Sequence, residues 1–252
     1  MLPILFTIGP FNVYSFGIFL SIAFLFSTFL IWREGREELK EEEYIDTFLY
    51  TSIVALISAR FVYIFLHFPQ FGANFLKYIV VRETPGISLI GGLLGGFIFL
   101  YWYARKKKYD FYHLSDLFAL SASLALGLAK IGEQLGGASF GKETNFILGV
   151  RIIGQTGRYH PVELYEAILI FLLFCFLQWV WGKVKRKKWP QGIVCLFFAA
   201  ILSIIIFLLE FLKVYPIYLY IFSLRQLGAL IILISVAVPL WRRIKIIRQA
   251  KL

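Results

Sequence analysis

Arg158-Tyr159-His160-Pro161-Val162-Glu163-Leu164-Tyr165-Glu166 leads directly into Ala167-Ile168-Leu169-Ile170-Phe171-Leu172-Leu173-Phe174-Cys175-Phe176-Leu177. The apolar run, about 161–181, has close to the ~20 residues that a helix needs to cross a bilayer. Arg158, His160, Glu163 and Glu166 stand at its entrance. Hydrocarbon tolerates charge poorly, so such a cluster at a membrane rim usually binds or processes something polar. Pro161 suits the first helical position, where its missing N–H costs nothing, and this puts His160 near the N-cap. Glu163, Tyr165 and Glu166 then fall within the first two turns.

Six further apolar runs surround this one, at about 12–32, 45–66, 87–104, 112–134, 191–212 and 219–241. The chain is 252 residues long, 60% hydrophobic and only 16% charged, with a mean hydropathy of +0.76. That composition lies outside the range of ordinary water-soluble domains. The runs are continuously apolar rather than alternating, which favours helices over a barrel. The expected fold is all-α, a polytopic membrane protein of about seven transmembrane helices. No long polar linker or internal repeat divides residues 1–252, so one domain is expected.

Lysine and arginine give the orientation. The segments after the first, third, fifth and seventh runs hold 17 of the 26 basic residues, including Arg105–Lys108 and Lys183–Lys188. By the positive-inside rule the N-terminus lies outside and the C-terminus in the cytoplasm. The formal net charge of +11 then reflects topology and contact with anionic membrane lipid, and no nucleic-acid partner is implied. The opening residues lack a basic n-region, so the first helix is expected to remain in the mature protein. Cys175 and Cys195 fall inside apolar runs and are expected to pack there, without a disulfide or metal site.

With that topology, ionisable residues gather in the outer half. Lys130 and Glu133 lie three apart near the end of the fourth run, share a helix face and can pair. Arg60 lies deep in the second run, Glu210 ends the sixth, and Arg225-Gln226 occupies the outer third of the seventh. Membrane arginines face a bundle interior, a partner or water, so Arg60 and Arg225 point to a polar cavity that opens outward. An anion would be favoured at the helix start near Arg151 and Arg158. His160 exchanges a proton near neutral pH or else only caps the helix. Tyr159 and Tyr165 also suit the interfacial aromatic belt. The loop 67–86 leads into Gly91-Gly92-Leu93-Leu94-Gly95-Gly96, which permits close approach by another helix or an acyl chain.

In this order, these segments resemble the prolipoprotein diacylglyceryl transferase family. The resemblance starts at Ile8-Gly9-Pro10-Phe11-Asn12-Val13-Tyr14-Ser15-Phe16-Gly17 and continues through Ala59-Arg60-Phe61-Val62-Tyr63 and Ser88-Leu89-Ile90-Gly91-Gly92. It extends through Lys130–Thr144, Glu210-Phe211-Leu212-Lys213 and Ser223-Leu224-Arg225-Gln226. Tyr159-His160-Pro161-Val162-Glu163-Leu164-Tyr165-Glu166 is its most specific part. The chain also departs from the family pattern. Ile90 stands where a histidine is usual, and isoleucine neither accepts a proton nor binds phosphate. Lys130, Glu133, Gly136 and Ala138 replace the usual signature residues. Ile206 occupies an arginine position, and Phe16 a common tyrosine position.

The resemblance implies transfer of a diacylglyceryl group from phosphatidylglycerol to the lipobox cysteine thiol of a prolipoprotein signal peptide, with release of glycerol phosphate. It implies a bacterial cytoplasmic-membrane enzyme with an outward-facing site and no cofactor or metal. On that reading Arg60, Lys130, Arg158 and Arg225 hold the phosphate, and His160 or Glu133 manages the thiol proton. Tyr63, Glu163, Tyr165, Glu166, Glu210 and Gln226 support them. Two other readings fit the same residues. One is a non-catalytic membrane relative that binds anionic phospholipid or signal peptides. The other is a small transporter, which would need a polar path through both leaflets; only His113 and Asp116 lie toward the inner face, where they read as interfacial residues.

Overall fold

Continuous apolar stretches with few internal helix breakers leave the backbone no partner but itself in hydrocarbon, and helices result. The computed structural model describes residues 4–9, 11–35, 41–72, 78, 86–137, 139–151, 156–214 and 218–249. Among them are seven long helices: α1 (Ser15–Gly35), α2 (Glu41–Leu66), α3 (Leu89–Lys107), α4 (Phe111–Gly136), α5 (Val162–Lys185), α6 (Ile193–Leu209) and α7 (Leu224–Gln249). Each corresponds to one apolar run. Six are long and apolar enough to cross a membrane; α3 is not among them. It has 19 residues, four of its first eight are glycine, and Arg105, Lys106 and Lys107 fill its last turn. The chain is a multi-pass membrane protein. Of the stretches read from sequence, Pro10, residues 73–77 and 79–85 of the loop 67–86, and Ala138 lie outside the described residues.

Contacts divide the chain into two compact units, Glu34–Ser115, and Met1–Arg33 with Asp116–Leu252. In the first, α2 packs against α3, and the glycines of α3 make this possible. A Cβ on Gly91 would lie 2.6 Å from Cβ of Val62, and one on Gly95 would collide with the Ser58 side chain. Helix packing therefore accounts for these two glycines, without invoking an acyl chain. Ser88 caps α3 by accepting a hydrogen bond from Gly91 N at 3.2 Å. At the other end three cations lie over aromatic rings four residues earlier: Arg105 over Tyr101 at 5.4 Å, Lys106 over Trp102 at 4.9 Å and Lys107 over Tyr103 at 5.9 Å. Such pairs place apolar rings and charged heads together, as an interface requires.

The second unit contains α1 and α4–α7. Ser27 and Ser121 exchange side-chain-to-carbonyl hydrogen bonds of 3.4 and 3.3 Å between α1 and α4. Asp116, fully buried on α4, accepts hydrogen bonds from Gly192 N at 2.6 Å and Cys195 N at 2.9 Å. It thereby caps the start of α6 from a neighbouring helix, where amides and dipole favour an anion. His113 and Asp116, the two residues read as lying toward the inner face, are both buried within the protein. Both cysteines are free, and Cys175 is exposed on α5 instead of packed. Two short antiparallel hairpins complete the unit, β1 (Ile4–Ile8) with β2 (Phe11–Tyr14), and β3 (Tyr218–Leu219) with β4 (Phe222–Ser223).

Gly95→Val should lower the unfolding free energy in detergent by about 1–3 kcal/mol through overpacking against α2. Gly182→Ala, at a position where a Cβ meets nothing within 4 Å, should be neutral or stabilising by up to ~1 kcal/mol. Denaturant unfolding of the two variants in the same micelle checks both.

Candidate active site

The helix start at α5 differs from the sequence expectation by one residue. Pro161 is itself the N-cap, with ψ 70°, and α5 begins at Val162. Leu164 N and Tyr165 N both donate to the Pro161 carbonyl, at 3.0 and 3.1 Å, so Pro161 closes the first turn from outside. His160 precedes the cap and has extended-strand partners: Gly141 N donates to its carbonyl and its N–H donates to Lys142 O, both at 3.0 Å. Gln134, near the end of α4, accepts a 3.3 Å hydrogen bond from Leu164 N. The first turn of α5 is thus capped from α4.

Glu163 and Glu166, three apart on α5, are both buried and face the same cations. Lys130 Nζ reaches Glu163 Oε2 at 2.6 Å and Glu166 Oε2 at 2.8 Å. Lys213 Nζ reaches Glu163 Oε1 at 2.7 Å and Glu166 Oε1 at 2.8 Å. The four side chains close a ring in which every charge has opposite charges on both sides. Lys130 spends its third contact on Glu133, at 2.6 Å, and the Ser139 hydroxyl also donates to Glu163. Lone buried charges carry a desolvation penalty of several kcal/mol, which such mutual contacts offset.

Arg225, in the first turn of α7, lies at the edge of this ring. Its guanidinium is 3.4 Å from Glu210 Oε2 and 3.9 Å from Glu166 Oε1, and its side chain is 31% exposed. Glu210 opens the 3-10 turn Glu210–Leu212 at the end of α6, which delivers Lys213 to the ring. Ser223 Oγ donates to Glu210 Oε1 at 3.1 Å, whereas the buried Glu210 Oε2 makes no hydrogen bond. Gln226 is fully buried, accepting from Ser223 N at 2.9 Å and donating to Phe207 O at 3.3 Å. Among the cluster's carboxylates Glu133 is the most accessible, with its side chain 27% exposed.

The stretch read as a glycine-containing loop forms a platform beside the ring. Gly141 bridges Lys213, and Tyr159 is bridged on one side by Glu143 and on the other by Val150. Tyr159 and Val150 exchange two 2.9 Å hydrogen bonds, and Thr144 N donates to Arg158 O at 2.8 Å. Gly141 must be glycine, since a Cβ there would lie 2.7 Å from the His160 carbonyl oxygen. On this platform the His160 ring is half-buried, with Nδ1 3.4 Å from the Tyr165 hydroxyl. Arg151 and Arg158 are exposed.

Arg60 and Tyr63 belong to the other unit. Arg60 sits in the last two turns of α2. Its Nε donates to Tyr78 O at 3.2 Å and its Nη1 to Gly86 O at 3.0 Å, with the guanidinium 5.2 Å from the Phe71 ring centroid. Tyr63 stacks on His67 at 4.2 Å. Ile90 lies in the first turn of α3.

A family model for prolipoprotein diacylglyceryl transferase matches residues 3–242. The chain belongs to that family. Similar curated proteins include the phosphatidylglycerol–prolipoprotein diacylglyceryl transferase of Clostridium tetani, 27% identical over 219 residues, which are 84% of this chain and 86% of the relative. Those of Geobacter sulfurreducens, 31% identical over 217 residues, and Vibrio cholerae, 31% over 218, each cover 84% of this chain and 82% and 78% of their own lengths. The family is one of transferases, and the chain is assigned to that enzyme class.

Of the sequence-derived candidates, Lys130, Glu133, Glu163, Glu166, Glu210, Arg225 and Gln226 come together in one cluster. His160, Tyr165 and Arg158 lie on the adjoining platform and helix start. Sequence reasoning assigned no role to Lys213, Ser139 or Ser223. For Lys213 a signal existed, a lysine three residues past Glu210 at the rim of an apolar run. Ser139 and Ser223 carry no charge or spacing that singles them out.

Lys213→Met should destabilise the protein by about 3–5 kcal/mol, because it leaves Glu163 and Glu166 buried with half their counter-charge. In a double-mutant cycle, Lys213→Met with Glu163→Gln should show a coupling of about 1–3 kcal/mol in detergent unfolding. Additive losses would show that the ring does not act as a unit.

Proposed function

We propose that this protein transfers the diacylglyceryl group of phosphatidylglycerol to the lipobox cysteine thiol of prolipoprotein signal peptides. The cysteine sulfur attacks the glycerol carbon that carries the phosphate. A C–S bond forms as the C–O bond breaks, and glycerol phosphate leaves with that oxygen. The observation that carries the reading is the contrast between locked and loosely held cations in one buried cluster of a family member. Lys130 is held by three carboxylates and Lys213 by two, all at 2.6–2.8 Å. Arg225 is partly exposed, and its contacts are the longest in the cluster.

An incoming phosphate can therefore exchange with the Glu210 and Glu166 contacts of Arg225, whose planar fork matches phosphate oxygens. Arg158 on the platform supplies a further donor for the leaving group, whose charge needs stabilisation in the transition state; for Arg60 a phosphate role rests on the family resemblance of its segment alone. Lys130 acts through the carboxylates it holds. A thiolate is the competent nucleophile. His160 is assigned as the base, since its half-buried ring lies on the platform beside the cluster while the Glu133 carboxylate is held by Lys130. The site faces away from the cytoplasm, across a bacterial cytoplasmic membrane with the N-terminus outside, as the distribution of basic residues supports.

The direct test incubates purified protein with phosphatidylglycerol and a lipobox peptide and weighs the peptide. A diacylglyceryl mass increment that disappears with a Cys→Ser peptide is expected. No increment, from protein that still binds phosphatidylglycerol vesicles, would favour a non-catalytic lipid-binding relative. Arg225→Ala should lower kcat/KM by ~10–100-fold, corresponding to the loss of one charged hydrogen bond of about 1.5–3 kcal/mol. Arg60→Ala should also suppress transfer while leaving the protein in the membrane. His160→Gln should lower kcat by about 100-fold or more; an unchanged rate would transfer the base role to Glu133.

A further inference from the structure

We propose that the turn Phe146-Ile147-Leu148 is a seating tip that enters the lipid bilayer, with a cationic collar against the phosphates of anionic phospholipids. The three side chains are 51%, 82% and 56% exposed, outside every long helix. Large apolar side chains on such a connection normally fold inward or meet a non-aqueous partner. The turn is not a loose excursion. Gly149 N donates to Phe146 O at 2.8 Å, Phe146 N donates to Thr144 Oγ1 at 3.1 Å, and Thr144 and Val150 are tied to Arg158 and Tyr159 of the platform.

The charge around the tip selects the occupant. Lys142, Arg151 and Arg158 are exposed on the segments that carry it, against one exposed carboxylate, Glu143. Apolar side chains flanked by arginine and lysine match the acyl boundary and the anionic headgroups above it. The platform joins the end of α4 to the start of α5, so the tip sits at the end of the unit that carries the buried ring. At that same end the β3–β4 turn exposes Leu219, Tyr220 and Ile221. The tip also touches the proposed site, because the Phe146 ring lies 6.4 Å from that of His160. Seating would thus set the height of His160 against the headgroups. The inference rests on the membrane character of the chain and stands or falls apart from the proposed reaction.

The test places a spin label at Ile147→Cys in a Cys175→Ala/Cys195→Ala background of the full chain. The protein is reconstituted in vesicles of phosphatidylcholine with phosphatidylglycerol. Collision with dissolved oxygen, which concentrates in the bilayer, is compared with collision with a water-soluble nickel chelate. The oxygen-to-nickel ratio at position 147 should be several-fold higher than at exposed Thr156→Cys. It should fall when phosphatidylglycerol is omitted, and Arg151→Gln with Arg158→Gln should abolish that dependence on lipid charge. A label at 147 as open to nickel as the one at 156 would overturn the proposal. So would shielding from both collision partners, which would place protein over the tip. Leu148→Cys provides the same reading if the first variant does not reconstitute.

Discussion

Glu163 and Glu166 share one face of α5 in its opening turns, and both are buried there. Without cations on either side, that placement would be prohibitively costly in a nonpolar surrounding. Lys130 and Lys213 meet the requirement together, each spanning both carboxylates at 2.6–2.8 Å. The ring therefore dictates where three segments must end: α4 within reach of its last turns, α5 at Pro161, and α6 in a 3-10 turn that brings Lys213 back. The platform follows from the same constraint, since Gly141 and Lys142 pair with the backbone of Leu212 and Lys213.

The ring also divides labour among the cations. A lysine with every donor occupied contributes a fixed field and little direct ligand chemistry. Arg225 keeps its guanidinium at the ring's edge, near a carboxylate oxygen of Glu210 that has an ion pair but no hydrogen bond. Four glutamates face three cations in this cluster, so the ring itself offers little net attraction to a phosphate. On the proposed reading, attraction must come from residues outside it, and Arg158, exposed on the platform, is the candidate.

Much of the helical architecture was legible in the sequence, because hydrocarbon imposes one simple rule on composition and length. Run and helix agree to within a few residues for α2, α4 and α5. The Lys130–Glu133 pair was legible too, since three-residue spacing on a helix is local geometry. What could not be read was anything set by tertiary contact. Lys213 finds Glu163 from 50 positions away in the chain, and no periodicity encodes that. Arg60 turned out to bind carbonyls of its own unit, and the extended pairing around Tyr159 looked like loop because single-residue bridges leave no alternating pattern. Pro161 was misplaced by one residue because a proline serves equally as cap or first helical position, and only the partner of its carbonyl decides.

Asp116 has a wider consequence when set beside the ring. The ring joins α4, α5 and the end of α6 at one end of the bundle, while Asp116 fastens α4 to the start of α6 at the other. Prising those helices apart means unmaking buried ionic contacts or exposing capped amides, at several kcal/mol for either. Helices α4 and α6 are thus held against one another at both their ends.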